Sequence, residues 1–173
     1  HVDYILALHI APYLEAGQVE LKYGKLNAAT NEFTIKVTGK SGHAAYPEES
    51  VDPIVIAAHI ITGLQSLVSR NISPLNSVVL TLGQIHDGVK NNVIAGEVTM
   101  SGTLRTLDPD TRVYAKNRIK EIVENTAKAH GAQARVDFEE GYEALINDDE
   151  VVDQFKETAT RLLGEEKVSF KEH

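Results

Sequence analysis

The sequence predicts an α+β fold. Its centre is a ferredoxin-like βαββαβ sandwich, with four antiparallel strands and two helices on one face, flanked by pieces of a second, parallel-sheet domain. Three observations predict it. Apolar and polar residues alternate strictly in four stretches between residues 31 and 141. Helical spacing separates these stretches in the order strand, helix, strand, strand, helix, strand. Both helices open on the same pair, Asp52-Pro53 and Asp108-Pro109, so the two halves look alike. Asp caps the free amides of a first turn, and Pro at the first helical position gives up no bond the helix needs.

Taken in order, Tyr4–Ile10 is nearly continuous apolar sequence, as in a strand buried on both faces of a parallel sheet. Val19–Tyr23 is a short alternating piece that reads as a hairpin or crossover leaving that sheet. Phe33, Ile35 and Val37 alternate with Thr34, Lys36 and Thr38, then run into Gly39-Lys40-Ser41-Gly42-His43 and a loop closed by Pro47. Ile54, Ala57, Ala58, Ile61, Leu64, Gln65 and Val68 trace the first helix. Val78–Ile85 and Val98–Arg105 are the next two strands, with a polar connector at Asp87–Asn92 between them. Val113, Lys116, Ile119, Ile122, Val123, Thr126 and Ala127 trace the second helix, which Gly131 ends. Ala134, Val136 and Phe138 mark the fourth strand. A further helix over Val151–Leu163, stopped by Gly164, and a strand beginning at Lys167–Phe170 return to the flanking domain. The expected divisions are 1–29, 30–141 and 142–173. The chain starts at His1 without an initiator Met and ends just after a strand signal, so it is expected to be a fragment of a longer protein.

Net charge of −8 and the lack of any long basic run count against a nucleic-acid backbone or an anionic membrane as partner. The apolar runs look far too short for a membrane span. With no cysteine there is no disulfide, thiolate nucleophile or Cys-ligated zinc, which fits a cytoplasmic setting. No HExxH, GxSxG, P-loop or GxGxxG occurs.

Four residues are candidates for chemistry. His43 sits where a strand ends in glycines, a way to aim an imidazole out of a rigid sheet. Asn92 precedes the third strand and Arg105 lies near its end. Arginine grips a carboxylate with two parallel bonds, and Asn and His donate to an oxygen that gains charge in a transition state. His9 falls at the carboxyl end of the first expected strand, the edge where α/β sheets bind ligands. Each also has a plain structural reading: a loop histidine, a turn asparagine, an arginine on a solvated sheet face, a hydrogen-bonded core histidine. His59 reads as packing or helix surface, His130 as a cation at a helix C-terminus, and His86 as a turn residue or a neighbour of a site.

Leu8-His9-Ile10, Gly39–Pro47, Asp52-Pro53-Ile54, Ser69-Arg70-Asn71, Asn92-Val93-Ile94, Gly102–Thr106, Gly141-Tyr142 and Asn147-Asp148 together resemble the M20 metallopeptidase family. The match is closest to its amidohydrolase branch of hippurate hydrolases, N-acyl-amino-acid deacylases and auxin-conjugate hydrolases. The resemblance implies a catalytic α/β domain carrying one or two divalent metals (zinc, manganese or cobalt), and an inserted ferredoxin-like lid that makes a homodimer. By position it implies that His9 is a metal ligand, that His43 is the lid histidine serving the partner subunit's site, that Asn92 is the lid asparagine near the substrate, and that Arg105 binds its carboxylate. Ala95 stands where the family usually has proline. The remaining metal ligands and the glutamate base have no counterpart here. A catalytic metal needs about three protein ligands, so this fragment alone is expected to be inactive and to bind no metal. The implied substrate is an N-acyl amino acid or related small amide. A non-catalytic dimerisation or small-ligand module is the alternative.

Overall fold

The computed structural model describes residues 1–171. In chain order its elements are β1 (Val19–Leu21), β2 (Gly24–Asn27), β3 (Ala29–Thr38), β4 (Gly42–His43), α1 (Pro53–Ser66), β5 (Val78–His86), β6 (Val93–Ile94), β7 (Glu97–Thr106), α2 (Pro109–Ala129), β8 (Gln133–Glu140), β9 (Leu145–Asn147), α3 (Asp149–Leu163) and β10 (Val168–Phe170). They form two compact units, one of Ala28–Ala144, the other of His1–Asn27 together with the segment that starts at Leu145.

In the larger unit the alternating stretches pair as a four-stranded sheet in the order β5-β7-β3-β8, every neighbour antiparallel. This is the ferredoxin-like sandwich that the element order predicts. Register follows from the apolar face: Ile35 lies opposite Met100 and Val136, and Val37 opposite Val98 and Ala134. These side chains form one core with α1 and α2, while Thr34, Lys36, Thr99 and Ser101 occupy the uncovered face. Phe33 faces Gly102, where an added Cβ would lie 2.7 Å from the Phe33 ring. The glycine makes room for the aromatic.

Asp52 Oδ1 accepts from the Ile54 amide at 2.9 Å, and Asp108 Oδ2 from the Thr111 amide at 2.8 Å, so both Asp-Pro starts are true caps. The buried face of α1 is Ile56, Ala57, Ile60 and Leu64, rotated from the expected stripe, and Ile54 and Val68 are exposed. Residues 54–61 are apolar almost throughout, so periodicity alone cannot choose a face, and the sheet chooses it. A wider-turned segment, Leu67–Asn71, continues α1. Contrary to expectation, Pro53–Asn71 is long and apolar enough to cross a membrane by length and composition. Ile60, Leu64 and Leu67 are fully buried in the sandwich, which accounts for that apolar character. On α2 the buried positions are Thr111, Ala115, Ile119, Val123 and Ala127, whereas Val113 points outward. His130 caps the C-terminus of α2 and stacks on His59 of α1 at 4.8 Å.

A polar network ties α2 to the strand ends. Buried Asn31 donates to the Glu139 carbonyl at 3.2 Å and accepts from Arg112 Nε at 2.6 Å. Arg112 and Lys116 both reach Glu140, at 3.1 and 2.5 Å. The Lys116 hydrogen bond, then its charge, holds the Glu140 carboxyl below the ordinary glutamate range, with Arg112 adding to the effect. A depressed pKa means that this stabilisation is present above the unfolded glutamate value, about 4.3, and is lost as pH falls through the lowered one. Urea midpoints at pH 7 and pH 3 measure this. Glu140→Gln is expected to lower the midpoint at pH 7 and leave it nearly unchanged at pH 3. An equal loss at both pH values would refute the charge pairing.

In the smaller unit β1 pairs in parallel with β10, and β2 pairs antiparallel with β9. Val19–Leu21 is therefore neither hairpin nor crossover; its partner lies about 150 residues on (Val19 opposite Val168), a pairing that local sequence cannot signal. Asp148 Oδ1 caps α3 through the Glu150 and Val151 amides at 3.0 and 3.1 Å, and Gly164 at φ +96° ends it. The Tyr23 hydroxyl donates to Asp153 at 2.6 Å, a bond that raises the tyrosine pKa. Tyr4–Ile10 forms no strand: it has no pairing partner among the described residues, and Ile5, Leu8 and Ile10 are exposed. An apolar run becomes a strand only when neighbours take up its backbone hydrogen bonds.

Candidate functional site

The glycine loop is a built structure. Beyond Thr38 the Gly39 amide donates to the Gly96 carbonyl at 2.9 Å, and Lys40 and Val51 exchange amide hydrogen bonds at 2.9 and 3.0 Å. The loop therefore doubles back on itself. A Cβ at Gly39 would stand 2.2 Å from the Val51 carbonyl oxygen, and one at Gly42 would stand 2.0 Å from Ser50 Oγ. The approach at Gly39 is against backbone and requires glycine, whereas a side chain at Gly42 would displace the Ser50 hydroxyl. The Ser41 hydroxyl donates to the Ile94 carbonyl at 2.7 Å and fastens β4 to β6.

This two-strand ladder brings His43 opposite Val93, and the Ala44 amide donates to the Asn92 carbonyl at 3.2 Å. His43 and Asn92, far apart in sequence, thus adjoin at one end of the sheet. The Ala45 amide donates to His43 Nδ1 at 3.1 Å. Nδ1 is the acceptor, so the neutral ring carries its proton on Nε2. Nε2 and the Asn92 carboxamide make no hydrogen bond among the described residues and are exposed donors. Chemically each side chain can donate an N–H to an oxygen that gains charge. Ala95, in the place where proline is usual, is buried and leaves the ladder intact.

Arg105 is not part of this cluster. It lies on the uncovered face at the other end of β7, opposite Thr30 and Val79, and donates to the Thr30 hydroxyl. The Thr30 amide donates to the Tyr142 carbonyl at 3.0 Å, and a Cβ on Gly141 would meet the Thr30 carbonyl oxygen at 2.1 Å. Gly141 is thus what lets the chain close on the strand that carries the arginine's partner. Arg105 lies eight residue steps along β7 from Gly96's neighbour Glu97, about 27 Å of extended chain. His86 ends β5 opposite Thr99, at the His43 end of the sheet.

His9 belongs to the other unit. It is exposed, outside any strand, with Nδ1 2.8 Å from the neighbouring Ile10 carbonyl. The strand whose carboxyl edge would present it is not formed. Among the described residues no three His, Asp or Glu side chains are grouped to hold a metal ion. The donors among the described residues do not by themselves fit a metal centre.

Sequence reasoning missed Tyr46. Its ring lies 5.6 Å from the His43 ring at 53°, and its amide donates to the His43 carbonyl at 2.9 Å. An aromatic three residues after a candidate histidine, just before a proline, was the available signal.

Residues 27–131 match the family described as the M20 peptidase dimerisation domain. An N-acetyldiaminopimelate deacetylase of Anoxybacillus flavithermus is 42% identical over 166 residues, 93% of this chain and 44% of that protein. A solved chain from methicillin-resistant Staphylococcus aureus superposes with a TM-score of 0.80 at 29% identity, over 88% of this chain and 41% of that one. The Bacillus subtilis YXEP protein, described as a dinuclear metal-binding M20 peptidase, superposes with a TM-score of 0.68 at 28% identity, over 89% of this chain and 37% of that one. The chain spans less than half the length of these relatives.

Proposed function

The chain belongs to the M20 peptidase family and carries its dimerisation domain, and from that premise we propose that it is the lid segment of a metal-dependent amidohydrolase acting on N-acyl amino acids. The metals, a divalent pair or single ion of zinc, manganese or cobalt, belong with ligands that this chain lacks. His9 is proposed to join that set once the strand around it is paired.

The observation that carries the reading is the separation of the two polar ends of β7. A small N-acyl amino acid cannot touch His43 and Arg105 of the same chain, which stand at opposite ends of about 27 Å of β7. A two-fold dimer resolves this: His43 and Asn92 of one protomer meet a substrate whose carboxylate is gripped by Arg105 of the partner subunit. His43 Nε2–H and the Asn92 amide then donate to the scissile carbonyl oxygen as it gains charge. Arg105 fixes the carboxylate and so the register of the amide. The lid offers a surface for such pairing. β5 is an edge strand whose outer side is unpaired among the described residues, with exposed Val79 and Ile85, and α1 exposes Ile54 and Val55.

Subunit mixing tests this. His43→Ala and Arg105→Ala forms of the longer enzyme are each expected to be nearly inactive on N-acetyldiaminopimelate. Co-refolded together, half the dimers are mixed and each has one intact site, so roughly a quarter of wild-type activity returns. No recovery places both residues in one protomer's site and refutes the shared arrangement. Full activity of either single variant favours a non-catalytic module.

A further inference from the structure

The geometry of the glycine loop assigns Tyr46 a role: we propose that it is the positioning residue that holds the His43 imidazole with Nε2 aimed at the substrate carbonyl. This rests on the catalytic reading of His43 given above.

The rotation of a histidine ring about its last side-chain bond is soft and roughly two-fold. One hydrogen bond, from the Ala45 amide to Nδ1, fixes which nitrogen accepts but still leaves the ring free to rock about that contact. A second contact is needed to define the plane, and Tyr46 supplies it. Its ring is tilted against the imidazole at 5.6 Å and 53°, an arrangement aromatic pairs favour. Tyr46 is exposed, yet its backbone is held on both sides. Its amide donates to the His43 carbonyl at 2.9 Å, and its carbonyl accepts from the Glu49 amide at 3.2 Å. Pro47 begins the short helical turn that follows and restricts the chain next to Tyr46. The turn that carries the ring is thus closed, and the ring contact of Tyr46 among the described residues is with His43. The contact with His43 is made by the Tyr46 ring, so the proposal places the function in the ring and not in the hydroxyl.

The test is a double-mutant cycle in the longer, metal-loaded enzyme, with N-acetyldiaminopimelate as probe. Tyr46→Phe is expected to keep wild-type turnover. Tyr46→Leu, which keeps bulk without a ring, is expected to lower kcat about ten-fold with KM nearly unchanged, since misaimed groups lose rate more than binding. In a His43→Ala background the same Tyr46→Leu change is expected to cost nothing further. A ten-fold loss in both backgrounds overturns the proposal, because Tyr46 then acts independently of His43. Wild-type turnover in Tyr46→Leu, with His43→Ala still impaired, overturns the proposal and leaves the function standing. Unimpaired His43→Ala overturns both. Matching thermal midpoints of Tyr46→Leu and Tyr46→Phe separate misaiming from unfolding, and a Tyr46→Leu form that is unfolded counts against the proposal.

Discussion

Replacing His43 by alanine in the longer enzyme is expected to lower kcat by about 100- to 1,000-fold, the usual cost of removing one donor to a developing oxyanion. KM is expected to change little, since the donated bond tightens chiefly in the transition state. The reason lies in the ring's one fixed hydrogen bond. With Nδ1 occupied by the Ala45 amide, the Nε2 proton has no partner within the loop. The same substitution is expected to leave the fold alone, because His43 is exposed and β4, on which it lies, is only two residues long. Steady-state kinetics and a thermal melt of the same preparation check both halves of this. A large fall in melting temperature would recast His43 as a structural residue of the loop.

Phe33→Ala is expected to destabilise the sandwich by about 3–5 kcal/mol, the range for emptying a large aromatic site in a core. Phe33 is 2% exposed on the central strand and packs on Phe138 at 5.7 Å. The space opposite it is reserved by Gly102, so its loss leaves a void with backbone on one wall that cannot collapse to fill it. Chemical denaturation of the chain measures this directly. Phe33→Leu is expected to recover more than half of the loss, and a loss below about 1 kcal/mol for Phe33→Ala would show the core to be much more plastic than its packing implies.

Much of the sandwich was legible in the sequence because its signals are local. The Phe33–Thr38 alternation, the two Asp-Pro starts and the stop at Gly131, with φ +78°, each act within a few residues. What was illegible depends on distant partners. The face of α1 is not legible locally because residues 54–61 are apolar almost throughout. Tyr4–Ile10 was read as a strand because hydrophobicity says that a segment wants burial, and says nothing of what will bury it. The parallel match of Val19 with Val168 has no local trace. At the candidate site, sequence identified His43, Asn92 and Arg105 as polar residues of one chemistry. It did not show that the first two adjoin while the third stands at the far end of β7, nor that a backbone amide fixes the tautomer of His43.

β7 therefore acts as a ruler. Its ten residues fix how far the end of the domain that carries His43 and Asn92 stands from Arg105. Inserting one residue would turn Arg105 to the helix side of the sheet; inserting two would restore its face but move it about 7 Å. Under the proposed function, strand length sets the spacing of the two half-sites that one protomer lends to two different substrates.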